Sequence, residues 1–232
     1  MRIHIYVNKN SAVKMKINFK YTLLFLSFAA LQRPRAQVNK VTALMRQHAA
    51  APVIKPFVGD VNNAAANYTT GNAIDGSGYY MLGSIPWSVI YFVNRTNRVF
   101  ANWGEIRKKY NTLNNEHSYL GWPADDEKLL PDGTGYFQEF DHGYIYWHPA
   151  YGAHVVKGEF FNHWAKNNWE KGVFGYPIED EFNYPSKPKD KSKEAFQKFF
   201  NGIIYVSENL ITHQITTAVK IYNPNYNPSR GH

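Results

Sequence analysis

The chain has 232 residues, enough for one substantial domain or a short array of repeats around an apolar core. It has no cysteine, which excludes a disulfide framework, thiolate zinc sites and lipid attachment through a thiol, while 16 % aromatic residues point to a β-rich packed structure or a ligand surface built from rings. The formal charge of +8 sits mostly at the amino terminus: residues 1–36 hold Arg2, Lys9, Lys14, Lys16, Lys20, Arg33 and Arg35 and no acid, so the rest carries +1, and nucleic-acid binding, which needs a basic face on the folded domain, is set aside.

Lys16 and Lys20 precede the apolar run Tyr21 to Ala30. This is the layout of a secretory signal peptide, with Met15 as a second candidate start, and the run is shorter than the ~20 apolar residues that span a bilayer. Cleavage after Ala29 places Ser27 three residues before the cut; cleavage after Ala36 leaves Gln37 first. Residues 1–36 are therefore expected to be removed, leaving a protein that is secreted or held at the cell surface. No second long apolar run follows, so no membrane span is expected. Residues 37–74, rich in Ala, Asn and Pro, read as a linker or loose first layer.

The most informative feature is internal repetition. Gly104 to Glu127, GEIRKKYNTLNNEHSYLGWPADDE, lies without a gap over Gly158 to Glu181, GEFFNHWAKNNWEKGVFGYPIEDE, at an offset of 54. A second block, FQEFDHGYIYW from Phe137 to Trp147, lies over FQKFFNGIIYV from Phe196 to Val206 at an offset of 59, the extra residues falling in the polar stretch Ser186 to Lys193. Upstream, DGSGYY from Asp75 to Tyr80 matches DGTGYF from Asp132 to Phe137. The repeat region is thus 75–220, with units at about 75–127 and 132–181 and a partial one at 190–220. The tail 221–232, with two Asn-Pro pairs and no periodicity, is expected to be disordered.

Each unit has one plan. The Asp132-Gly133 turn opens a hairpin, Tyr144 to Trp147 supply strand-favouring residues, Gly152-Ala153 mark a tight return, and Val155-Val156 make a second strand. A helix follows, with Phe160 and Trp164 four apart in one copy and Ile106, Tyr110 and Leu113 at helical spacing in the other. Gly121-Trp122-Pro123 and Gly175-Tyr176-Pro177 then end it, because proline disfavours the helical conformation in the residue before it. The expected fold is α+β: tandem β-hairpin-plus-helix repeats packed side by side in a pseudosymmetric, propeller-like array. Ile106, Tyr110, Leu120, Phe160, Trp164 and Phe174 are expected to face a shared core, since one such unit cannot bury its own apolar side.

Taken in order, the Asp-Gly turn, the Gly-x-Ile-Tyr-Trp strand, the Gly-Ala return, the tetrapeptides Leu120-Gly121-Trp122-Pro123 and Phe174-Gly175-Tyr176-Pro177, and the closing acids resemble the LGFP repeat, most fully over Pro131 to Glu181. That resemblance implies a secreted or surface-attached module of bacterial envelope proteins, associated with cell-wall polysaccharide and appended to enzymes rather than catalytic itself.

Rings stack on the apolar faces of sugars while carboxylates bond the hydroxyls, so a wall-glycan site needs exposed rings beside acids. Trp122 with Asp125, Asp126 and Glu127, and Tyr176 with Glu179, Asp180 and Glu181, are the candidate pairings; Tyr146, Trp147 and His148 form a further candidate surface. The bland alternative is that the rings pin each loop to its neighbour's core and the acids cap the next element. If the acids bind a polymer, replacing Asp126 and Asp180 together by alanine is expected to abolish binding with the thermal midpoint nearly unchanged. His142, His148 and His154 recur every six residues, but this matches no zinc motif, and no metal or cofactor is expected. Adjacent acids copied by duplication do not suggest the opposed carboxylates of a glycosidase, and there is no nucleophile elbow or phosphate loop, so the module is expected to be non-catalytic. The expected partner is a polysaccharide or cell-wall glycan, with a secreted structural or adhesive protein that binds another protein as the alternative.

Overall fold

The computed structural model describes residues 38–61, 71–72, 76–185, 189 and 191–222. The expected signal peptide lies outside the described residues, as does all of the expected tail beyond residue 222. The chain divides into two compact units, Met1–Ala43 and Leu44–His232. Residues 38–49 are helical (α1), of which 38–43 fall in the first unit. The second unit holds everything discussed below. Its segment 44–61 includes the short helix α2 (Lys55–Val58) and buries Met45, Ala49, Ile54, Val58 and Val61.

Three four-stranded antiparallel sheets follow one another, each a simple meander. Sheet A contains β1 (Gly71–Asn72), β2 (Gly78–Leu82), β3 (Ser88–Val93) and β4 (Arg98–Trp103). Helix α3 (Gly104–Thr112) and a 3-10 turn at Asn115–His117 lead to sheet B: β5 (Lys128–Leu129), β6 (Tyr136–Phe140), β7 (Gly143–His148) and β8 (Gly152–Val156). Helix α4 (Gly158–Lys166) and a 3-10 turn at Trp169–Lys171 lead to sheet C: β9 (Phe182–Asn183), β10 (Ser192–Phe199), β11 (Gly202–Asn209) and β12 (Ile215–Ile221). The protein is thus α+β. The unit is a four-stranded meander plus helix rather than a hairpin plus helix, because the two-residue strands β5 and β9 add a fourth strand that is too short to show alternation. Sheet C is a complete meander, not half a unit, and no helix follows it among the described residues.

The strands follow from their composition. Ser88 to Val93, SVIYFV, is buried at every position, as expected of an inner strand covered on both faces. Both helices bury one edge, Ile106 and Tyr110 in α3, Phe160 and Trp164 in α4, each pair four residues apart. All six expected core residues are buried, but in two cores rather than one. The first gathers Tyr91 and Phe100 from sheet A, Ile106 and Tyr110 from α3, Leu120 and Trp122, and Phe140 and Ile145 from sheet B. The second repeats this one unit later with Tyr146, Phe160, Trp164, Phe174, Tyr176, Phe199 and Ile204. A core therefore sits at each junction between successive sheets, with a helix packed into it.

Candidate functional site

The two junctions are built from the same contacts. Gly121 and Gly175 both take φ of 70°, a left-handed conformation that a side chain would strain, and their carbonyls accept hydrogen bonds from Tyr110 Oη (2.6 Å) and Trp164 Nε1 (3.0 Å). Helix and tetrapeptide are thereby locked together. Pro123 and Pro177 then bridge Phe140 and Phe199, so the proline segment is extended, as its sequence predicts.

The rings of the tetrapeptides point backward into the preceding sheet. Trp122 is 6 % exposed, stands edge-on to Tyr91 at 5.8 Å, and donates from Nε1 to Ser77 Oγ at 3.0 Å. Tyr176 is 8 % exposed and donates its hydroxyl proton to Asp132. Burial and that carboxylate raise the Tyr176 hydroxyl's pKa, while Asp132, which burial would push up, is held low by Tyr176 and the N–H groups of Thr134 and Gly135. Neither ring has a free face for a sugar. This corrects the expectation that they form a stacking platform: an aromatic at this position fills the gap between two sheets.

The acids divide into three roles. Asp126 Oδ1 accepts from Ala101 N–H at 2.7 Å and pairs with His48 Nε2 at 2.9 Å. At the second junction Asp180 Oδ1 accepts from Val155 N–H at 2.9 Å, and Asp180 also meets Lys109 and His154. Burial alone would raise the Asp180 pKa, yet the hydrogen bonds from His154, Lys109 and Val155 hold it down to about 2. Glu127 is 8 % exposed and accepts from Trp103 N–H at 3.2 Å; burial pushes its pKa well up. Its counterpart Glu181 instead pairs with Lys157. Asp125 accepts from Asp126 N–H and Lys128, which hold its pKa down against burial, and Glu179 pairs with Lys198 at 2.9 Å. Asp126, Asp180 and Glu127 thus cap backbone of the preceding sheet, the bland alternative for these residues.

Two glutamines that were not singled out in the sequence complete each junction. Gln138 Nε2 donates to the carbonyls of Ala101 (2.9 Å) and Asp125 (2.9 Å); Gln197 Nε2 donates to those of Val155 (2.6 Å) and Glu179 (3.0 Å). Asp126 with Gln138, and Asp180 with Gln197, therefore clasp the N–H and C=O of one edge residue in the sheet before. The signal was present in the repeated FQEF and FQKF blocks, where an amide sits at a core-facing strand position in both copies.

The further candidates separate. Tyr146 is 4 % exposed, edge-on to Trp164 at 4.7 Å, and belongs to the second core. Trp147 is half-buried beside Tyr136 at 6.0 Å. His148 accepts at Nδ1 from Ala150 N–H and lies between the rings of Tyr151 (4.7 Å) and Tyr176 (4.5 Å), with the exposed Phe200 next to Tyr151 at 5.1 Å. His142 and His154 lie in other settings, and among the described residues no cluster of three or more His, Cys, Asp or Glu is placed to hold a metal ion.

A groove of about 420 Å³ opens between sheets B and C, lined by Tyr119, His142, Val155, Lys157, Asp180, Glu181 and Asn183. A second hollow of about 180 Å³ shares Lys157, Glu181 and Asn183 with it and runs on to Lys193 and Glu208. Tyr119 is 51 % exposed, with Lys157 Nζ over its ring at 5.5 Å. Burial and the nearby Asp180 and Glu181 push the Tyr119 hydroxyl up to about 12. The first junction differs: there His48 of α1 occupies Asp126, and Phe57 of α2 stacks on Trp103 at 4.6 Å.

Among the described residues no helix is long and apolar enough to cross a membrane. No curated protein sequence matches the chain. Residues 120–172, which begin at the Leu-Gly-Trp-Pro tetrapeptide, take in all of sheet B and α4 and end after the second 3-10 turn, match the family model of the LGFP repeat, so the chain carries an LGFP repeat over that segment.

Proposed function

We propose that the protein is a secreted, non-catalytic repeat module that binds a polysaccharide, such as a cell-wall glycan, in the groove between sheets B and C. The observation that carries this reading is the exposed ring of Tyr119 at a groove lined also by Asp180, Glu181, Lys157 and His142. A ring offers a face to the apolar side of a sugar, and the groove's carboxylates, imidazole and ammonium offer both acceptors and donors to its hydroxyls. The continuation toward Lys193 and Glu208 suits a chain of sugars rather than one. We further propose that the sheets form a pseudosymmetric, propeller-like array, since the same tetrapeptide, aspartate and glutamine contacts at both junctions would give each sheet a similar step from the last.

The test is co-sedimentation of the full chain with insoluble peptidoglycan and with wall polysaccharides, beside Tyr119→Ala. Binding by the parent and at least a ~10-fold loss in the variant, with unchanged melting, is expected. No binding to any polymer overturns the reading. A second reading, a protein partner, is favoured by the His148, Tyr151 and Phe200 rings, since clustered partly exposed aromatics also suit protein interfaces.

A further inference from the structure

The β2–β3 connection of sheet A runs over residues 83–87, where β6–β7 and β10–β11 turn in two residues, 141–142 and 200–201. Ile90 and Ile145, which oppose the clasped residues Ala101 and Val155, mark equivalent places in sheets A and B, and three residues before them stand Trp87 and His142. Trp87 thus holds the position of a residue that lines the groove between sheets B and C. Hydrogen bonds fix the longer loop from behind: Ile85 N–H donates to the Val58 carbonyl at 3.3 Å, Gly83 N–H to that of Ser88 at 2.9 Å, and Ser88 Oγ to that of Ile85 at 2.6 Å. Trp87 takes φ of 59°, a left-handed conformation that a bulky residue rarely adopts, yet it is 49 % exposed. Burial of the indole therefore does not offset the strain, which marks the ring as held out for a contact.

From this loop we infer a second polysaccharide contact, centred on the Trp87 indole; it rests on the proposed binding of a polymer in the groove and extends that polymer's path. Lys108 Nζ lies over the Trp87 ring at 5.9 Å and donates to Glu105 Oε1 at 2.5 Å. The same three groups meet at the groove, where Lys157 Nζ lies over the Tyr119 ring at 5.5 Å and pairs with Glu181. Both rings are about half exposed, and each has an ammonium and a carboxylate beside it, so a sugar stacked on the ring finds a donor and an acceptor for its hydroxyls. Helix α3 joins the two places. Lys108 flanks Trp87 while the next residue, Lys109, pairs with Asp180 in the groove, so one extended polymer reaches both rings across this helix. The pair of Lys108 with Glu105 carries no net charge, which suits a glycan and not an anionic lipid surface, since the latter draws unpaired cations.

Co-sedimentation of the full chain with insoluble peptidoglycan tests this. Trp87→Gly removes the ring and relieves the left-handed backbone, so it is expected to melt no lower than the parent and to bind at least ~10-fold more weakly. Trp87→Tyr keeps a ring and is expected to bind within about 3-fold of the parent. In NMR spectra of the isotope-labelled parent, the Trp87 indole N–H, identified by its loss in Trp87→Gly, is expected to shift when soluble peptidoglycan fragments are added. Parent-like binding by Trp87→Gly, with Tyr119→Ala weakened, overturns this inference and leaves the groove reading standing; no binding by the parent overturns both. Should Trp87→Gly melt lower than the parent, the indole signal decides alone, and a signal that stays in place overturns the inference.

Discussion

The indole of Trp122 fills the space that a Cβ on Gly78 would occupy: its η2 and ζ2 carbons lie 2.6 and 2.9 Å from that point. Tyr176 stands in the same relation to Gly135, its hydroxyl and ε1 carbon at 2.7 and 2.9 Å. In the third sheet the equivalent position is Glu194. Each glycine is thus the socket for the next unit's ring. Gly78→Ala and Gly135→Ala are expected to cost about 1–3 kcal/mol each in urea unfolding, as overpacking does in a filled core. A parent-like midpoint for both would show that the rings are not seated there.

Asp126→Ala and Asp180→Ala are each expected to destabilise by about 1–3 kcal/mol, because a strand N–H in a buried residue loses its acceptor. This is the outcome expected if the acids are structural caps, where an unchanged midpoint was expected if they bind a polymer. Thermal scans of the two single variants decide it, and Asp125→Ala, whose partners are a neighbouring N–H and an exposed lysine, is the control with little effect.

Asp180 and Glu127 give opposite responses to pH. Asp180 is lowered to about 2, so its contribution is full above the ordinary value of 3.8 and is lost as pH falls from there toward 2. Glu127 is raised: the folded state holds its proton to higher pH than the unfolded state, so stability falls as pH rises above 4.5. Glu127→Gln keeps an acceptor for Trp103 N–H and is expected to be more stable than the parent at pH 7, with the gain vanishing below about pH 4. Unfolding curves of both proteins from pH 3 to 8 check the sign.

Trp164→Ala is expected to cost about 3–5 kcal/mol. The side chain is fully buried, packs on Tyr146 and Phe199, and holds the Gly175 carbonyl. Chemical unfolding with a midpoint close to the parent's would mean that α4 is not anchored by this face.

The helix face of Phe160 and Trp164, the return at Gly152 with φ of 85°, and the extended path at Pro123 and Pro177 were all legible in the sequence, because each depends on neighbours a few residues away. The roles of the acids were not. Asp126 and Asp180 act on residues 25 positions earlier in the chain, and His48 reaches Asp126 from 78 positions away, so no local pattern distinguishes a cap from a ligand contact. Strands β5 and β9 escaped notice for the opposite reason: two residues cannot display a period of two. Tyr119 lies inside the repeated block with Val173 as its counterpart, and the groove beside it is lined by residues far along the chain, such as Asp180 and Asn183, which no local pattern reveals.

The clasps also impose a direction in time. Asp126 and Gln138 lie 25 and 37 residues after the Ala101 that they secure, and Asp180 and Gln197 lie 25 and 42 after Val155. On a ribosome, sheet A is finished before the residues that seal its edge have left the exit tunnel. Sheets A and B therefore wait, open-edged, for their successors to be synthesised, and a nascent chain halted just after Trp103 presents a bare β edge at β4 that the folded protein covers.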